Sequence, residues 1–243
     1  MLVAAAFAPH PPAIVPDLAA GAAGDLDDLR AACDDALARM LAINPDQVVI
    51  LGAGPSARWG DADIGTFAGY GVPLTVRLAG ARAGAGVDSA ADPGTGRAFL
   101  PLSVTVGAWL LARAGYAGPR HAVSVSGAAT DAELVGWAGA VDAGGRVGVL
   151  VMGDGSARRS PAAPGHLDPR ADGFDAGVAA ALRAGDPARL RALDSVLGAE
   201  LLAAGVPAWR LTGRLAAGSR YRADLLYDDA PFGVGYLVAV WLK

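Results

Sequence analysis

A chain of 243 residues is long enough to bury a substantial core as one domain over 1–243. Its 53% hydrophobic and 18% charged residues exclude a disordered chain. A net charge of -4, with no basic cluster larger than Arg158-Arg159, argues against nucleic acid as a partner.

The lone cysteine, Cys33, excludes an internal disulfide and a cysteine-rich zinc site. Its place in an apolar helical pattern marks it as a small core residue rather than a catalytic thiol. The opening MLVAAAFAPHPP carries no positive leader, and its apolar run stops at Pro9. No other stretch offers the roughly 20 uninterrupted apolar residues of a membrane helix. The expectation is a soluble, cytoplasmic protein without membrane contact.

Leu2 to Ala8 reads as a buried strand, closed by Pro9-His10-Pro11-Pro12, since prolines cannot donate to a sheet ladder. Asp25 or Asp27 can cap a helix running to about Ile43, on which Leu26, Leu29, Cys33, Leu37, Met40 and Leu41 form one apolar stripe. Asn44-Pro45-Asp46 stops it. Gln47 to Ala53 is the second strand, 54–71 reads as loop, and Leu74 to Leu78 as a third strand. The Gly- and Ala-rich stretch 79–97 reads as a surface excursion. A helix is expected from Ser103 to Ala114, a strand over Ala122 to Ser126, and a helix capped by Thr130 or Asp131 through about Val141.

Val147 to Met152 is the next buried strand, ending in Gly153-Asp154-Gly155-Ser156. A proline-rich loop follows, then a helix from near Ala171–Asp175 to Ala184. Asp186-Pro187 supplies a cap and a proline at the first helical position. Further helices run through Leu197 and Leu202 to Gly205. The tail reads as strands at Trp209–Thr212, Leu225–Tyr227 and Val234–Trp241, with Asp228 to Phe232 as the turn before the last. Alternation of strand and helix argues an α/β fold: a three-layer α/β/α sandwich around a mostly parallel or mixed central sheet. No linker or internal repeat is visible.

Only His10, His121 and His166 can supply imidazoles. His10 is wedged between prolines at a strand end, either bonded to a backbone carbonyl or part of a site. Asp154, between glycines just past another strand, can coordinate a cation, cap a helix or brace the turn. Asp228-Asp229 carries the same ambiguity. Ser156 or Ser56 could act as a nucleophile with His10, although no triad spacing supports it. Gly52-Ala53-Gly54 lacks the full dinucleotide-binding pattern, and Pro55 removes an amide that such a loop uses.

Four blocks carry a resemblance: APHPP near the start, GDGSARRSPAAPGHLDPRADGFD in the middle, GDPARLRALD after it, and DDAPFGVGYLVA at the end. In this order they resemble the catalytic chains of the class III extradiol ring-cleavage dioxygenase superfamily, to which the Memo proteins are related. The resemblance implies an iron(II) held by two histidines and a carboxylate, with positions left free for catechol and dioxygen. His10 matches the first histidine ligand. The second is expected around Gly54-Pro55-Ser56, where no histidine occurs. The carboxylate is expected near Ala203-Ala204-Gly205, and the acid-base histidine falls on Ala157.

Losing even an outer partner of a metal costs roughly 10- to 100-fold in affinity, so losing direct ligands costs more. The expectation is therefore a non-catalytic member that binds a small molecule or a protein partner. His10, Ser56, Asp154, Ser156 and Phe232 are its candidate pocket residues, and Pro9 adds a further wall. Homo-oligomerisation is compatible with it. No cofactor is expected. The alternative is a metalloenzyme, ring-cleaving or another oxidoreductase, with a rebuilt site. His10 and nearby carboxylates (Asp154, Asp61, Asp63 or Glu200) would then hold iron(II) or another divalent metal.

Overall fold

The computed structural model describes residues 1–78, 99–141 and 144–243; the excursion expected at 79–97 lies outside the described residues. The chain opens with β1 (Leu2–Ala8), a short α1 (Pro16–Ala19), α2 (Asp27–Ala42) and β2 (Gln47–Ala53). Three short strands follow: β3 (Ala57–Trp59), β4 (Ile64–Thr66) and β5 (Thr75–Arg77). Next come α3 (Leu102–Arg113), β6 (Arg120–Val125), α4 (Asp131–Val141) and β7 (Val147–Met152). Four helices then run in succession: α5 (Ala171–Ala184), α6 (Pro187–Arg191), α7 (Ser195–Glu200) and α8 (Val206–Leu215). The antiparallel pair β8 (Arg222–Asp229) and β9 (Tyr236–Leu242) closes the fold.

The main sheet has seven strands in the order β3-β6-β2-β7-β1-β9-β8. Its centre, β6-β2-β7-β1, is parallel, and β3 and β9 join antiparallel on either side. Strands in such a position are covered on both faces, so β1, β2 and β7 are near-continuous apolar runs. Side chains alternate between two cores. Ala4, Ala6, Ala8, Ile50 and Met152 face α2 and α3. Ala5, Phe7, Leu51, Val149 and Val151 face α4, α5 and α8. Helices on both faces of a mixed, mostly parallel sheet make the three-layer α/β arrangement expected above. The small side chains let the layers approach closely. At Gly107 of α3 an added Cβ would lie 2.6 Å from the Ile50 side chain.

Two helix starts match the expected caps. Asp186 accepts from the Ala188 and Arg189 amides ahead of α6, with Pro187 in the first turn. Thr130 and Glu133 bond reciprocally at the start of α4, a capping box.

Four expectations are corrected. α2 has no side-chain cap, because it continues out of a 3-10 turn over Ala20–Leu26 whose Gly24 carbonyl already accepts the Asp27 amide. Trp209–Thr212 is not a strand but the middle of α8. Pro207 starts that helix, and the Thr212 hydroxyl bonds back to the Ala208 carbonyl at 2.8 Å, satisfying a helical rather than an extended backbone. The loop expected at 54–71 contains β3 and β4, and β4 pairs apart from the main sheet with β5, which is the strand expected at Leu74–Leu78. Asp228 and Asp229 still pair with β9 in the ladder, so the turn starts at Ala230.

Candidate functional site

The parallel strands β6, β2, β7 and β1 end at one edge of the sheet, and β9 begins there. The connection from β1 passes through α2 on one face, while that from β7 passes through α5 on the other. Adjacent strands whose connections part in this way leave a crevice beyond their carboxyl ends, the usual ligand position in open α/β sheets.

His10 and Asp154 lie at this crevice, two residues past β1 and β7, because Ala8 pairs with Met152. The His10 amide donates to Asp154 Oδ1 at 2.7 Å, and His10 Nδ1 stands 3.5 Å from the same oxygen. His10 is 7% exposed, and its Nδ1 is buried without a hydrogen-bond partner. The Asp154 carbonyl accepts the Gly205 amide at 2.8 Å, which ties the loop to the start of α8. On the other side of β1, Phe7 pairs with Ala239 of β9. Continued outward, that register brings Tyr236 beside His10. The Tyr236 phenol is buried, and burial first, then the Asp154 charge, push its pKa well above the ordinary tyrosine value. It therefore keeps its proton at neutral pH and can donate a hydrogen bond.

Of the residues expected at the site, only His10 and Asp154 are brought together. Ser156 is not a pocket wall: it is fully buried, its hydroxyl donating to the Leu201 carbonyl at 2.9 Å and accepting the Arg158 amide at 3.1 Å. A hydroxyl committed in this way braces a turn and is not activated by a base. Ser56 is exposed after β2 and accepts the Ser126 amide at 3.0 Å. Phe232 is 40% exposed on the turn leading to β9. Pro9 is buried next to β1.

The other carboxylates serve elsewhere. Asp63 accepts the Gly60 amide, and Glu200 pairs with Arg170. Asp61 acts on Arg120, and Asp229 accepts the Ala230 amide. His166 is exposed, with Nδ1 2.9 Å from the Pro161 carbonyl.

A ferrous ion held by two histidines and a carboxylate does not fit these residues. Among the described residues no three His, Cys, Asp or Glu side chains converge where a metal could be held. At Gly54, near the expected second histidine, an added Cβ would stand 2.8 Å from the Pro101 ring, so the space is already filled. Ala203, Ala204 and Ala157 offer no donor atoms.

A cavity of about 330 Å³ opens at the same edge but on the other face of the sheet. Ala53, at the end of β2, lines it from the sheet, following Val49 and Leu51 on the α8 side. His10 and Asp154, following Ala8 and Met152, belong to the α2–α3 side. The sheet thus separates the two.

No family model matches this chain, and no curated protein matches it.

Four residues received no role in the reading of the sequence. Tyr236 follows directly on the DDAPFGVG turn, and an antiparallel last strand beside β1 was the signal that would have found it. Asp175 and Arg159 bond at 3.0 Å beneath the Gly155-Ser156 turn. The third histidine, His121, is 8% exposed on β6 with Nε2 unpartnered. Burial, and then the neighbouring Arg58 charge, lower its pKa below the ordinary value of about 6.5. The unfolded chain then binds the proton more readily than the folded one. Stability is therefore retained above pH about 6.5 and lost as pH falls below it. Between pH 7 and 5 the wild type should lose more in Tm than His121→Gln; parallel Tm–pH curves for the two would contradict this.

Proposed function

We propose that the chain is a class III extradiol dioxygenase-like protein, akin to the catalytic chains of that superfamily, in which the iron site has degenerated and the scaffold serves as a non-catalytic binding module. The four sequence blocks support the family resemblance. The donor set at the crevice supports the loss of chemistry: His10 and Asp154 meet there, and no third metal-binding side chain joins them among the described residues. Ala157 stands where the resemblance expects the acid-base histidine, which leaves no group to take a catechol proton at that position.

The residues that remain have binding chemistry. Asp154 holds the His10 backbone, and Tyr236 presents a protonated phenol beside the Asp154 carboxylate. Such a set can orient a small molecule with hydrogen bonds without changing its covalent structure. The partner class is a small molecule, with a protein partner as the other form of the same reading. The location proposed with it is the cytoplasm, in keeping with an unpaired, buried thiol at Cys33.

Purified after growth in iron-supplemented medium, the protein should carry far less than one iron per chain and leave catechol unchanged in an oxygen-consumption assay. Stoichiometric iron with ring cleavage would defeat the proposal. One observation favours a second reading, a rebuilt metal site: the unpartnered His10 Nδ1 lies 3.5 Å from Asp154 Oδ1. Under that reading His10→Ala lowers the metal content of the purified protein; equal content in both proteins removes it.

A further inference from the structure

The cavity on the α8 face includes Ala203 and Ala204, near which the resemblance expects a carboxylate that is not there, and neither His10 nor Asp154 lines it. Its floor is Ala53, from the end of β2, and Gly127, just past β6. Its roof is α7, the Leu202–Ala204 turn and the first residues of α8. The connection after β2 passes to α3 on one face and that after β6 to α4 on the other, so this too is a point where the connections part. At about 330 Å³ it falls within the size range of small-molecule sites, about 300–1,000 Å³.

The walls determine what can enter. Among the described residues every one that lines it is uncharged, and Ser195 is the only one with a polar side chain. An anion or cation placed there would lose its hydration with no opposite charge to replace it. A neutral hydrocarbon or aromatic body would exchange water for apolar wall, the favourable direction of transfer. At the mouth, Leu202 is 49% exposed and held at φ 56°, a left-handed backbone that a leucine rarely adopts. Its apolar side chain lines the cavity and also lies against Gly165 of the loop after β7.

We propose that this cavity binds a small uncharged apolar molecule, of roughly the size of a substituted aromatic ring or a short aliphatic chain, with Ser195 meeting any single polar group it carries. The inference rests on the binding-module reading and names the ligand class; it uses neither His10 nor Asp154.

The test titrates the full-length protein with toluene, and separately with benzoate as a charged molecule of similar size, following amide shifts by NMR and Tm by thermal melting. Toluene should raise Tm in a saturable way and shift the amides of Ala53, Ala199 and Ala203. Benzoate should do neither. Ala204→Phe, which fills the cavity from a partly buried position, should weaken toluene binding at least tenfold while the protein remains folded by circular dichroism. Ala199→Glu, at the exposed rim, serves as a second variant with the same expected loss. Several results would overturn the proposal: no saturable toluene binding, equal binding of benzoate, shifts centred on His10 and Tyr236, or a dimer in solution that occludes Leu202. Iron uptake with catechol cleavage would instead sink the binding-module reading and leave a positive toluene result standing, so the two failures are distinguishable.

Discussion

Asp175→Ala is expected to lower folding stability by about 2–3 kcal/mol, the cost of taking a shared acceptor from a buried amide and a charged donor. Asp175 is 1% exposed. One carboxylate oxygen accepts the Ser156 amide at 2.8 Å, and the other accepts from Arg159 at 3.0 Å. Two glycines make room for it. An added Cβ would lie 2.7 Å from its Oδ1 at Gly155 and within van der Waals overlap of its Oδ2 at Gly235. The Gly155 and Gly235 chains are themselves joined, through Gly155 N–H to the Gly235 carbonyl and Gly235 N–H to the Ser156 carbonyl. Removing the carboxylate therefore leaves the Ser156 amide without its acceptor and the partly exposed Arg159 guanidinium with Asp172 alone, at the point where the loop after β7 meets the turn before β9. Urea unfolding measures the effect; a loss under about 1 kcal/mol, the size of an ordinary hydrogen bond, would show that another contact holds this turn.

Asp175 also makes a pH-dependent contribution of defined sign. Burial raises its pKa above the ordinary carboxylate value, outweighing the lowering by the Ser156 amide and by Arg159. A raised carboxyl pKa means that the folded state holds the proton longer than the unfolded chain. The associated stability is complete below pH about 4 and declines as pH rises through the folded pKa. Asp175→Asn has nothing to titrate there, so its stability deficit against the wild type should be largest in acid and narrow as pH rises.

Trp241→Ala should cost about 3–5 kcal/mol, the range for deleting a large aromatic side chain from a close-packed core. Trp241 is fully buried in β9. Its ring meets Phe7 edge-on at 5.0 Å and stacks on Tyr221 at 5.6 Å. Its indole N–H donates to the Leu182 carbonyl at 2.8 Å, in the last turn of α5, where helix carbonyls lack intrahelical partners. Trp241→Phe keeps most of the volume but strands that carbonyl, so its expected cost is about 1–3 kcal/mol. Chemical denaturation of the pair separates the packing loss from the hydrogen-bond loss. An equal effect of the two substitutions would mean that the indole N–H, rather than ring volume, carries the stabilisation.

The degree to which the structure could be read from the sequence differs by element. β1, β2 and β7 were visible because strands buried on both faces are short, continuous apolar runs. The caps at Asp186 and Thr130 were visible because a cap is satisfied within three residues of itself. Trp209–Thr212 misled because four bulky residues look alike in a strand and on the buried side of a helix. Pro207 was the local signal against the strand. At the crevice, His10 and Asp154 were singled out separately as residues past strand ends, while Ser156 looked available in sequence and proved to be a brace.

The central strands β1, β2 and β7, the α/β class, and the absence of histidine, cysteine and carboxylate at three of the four positions that the family resemblance marks were determined by the sequence itself, since each depends on residue type and near neighbours. Only the tertiary structure decided which residues meet. Asp154 is 144 positions from His10, and Tyr236 reaches the same edge through a strand running the other way. Strand order and register are set by packing between distant segments, and one step of register would turn every one of these side chains to the opposite face.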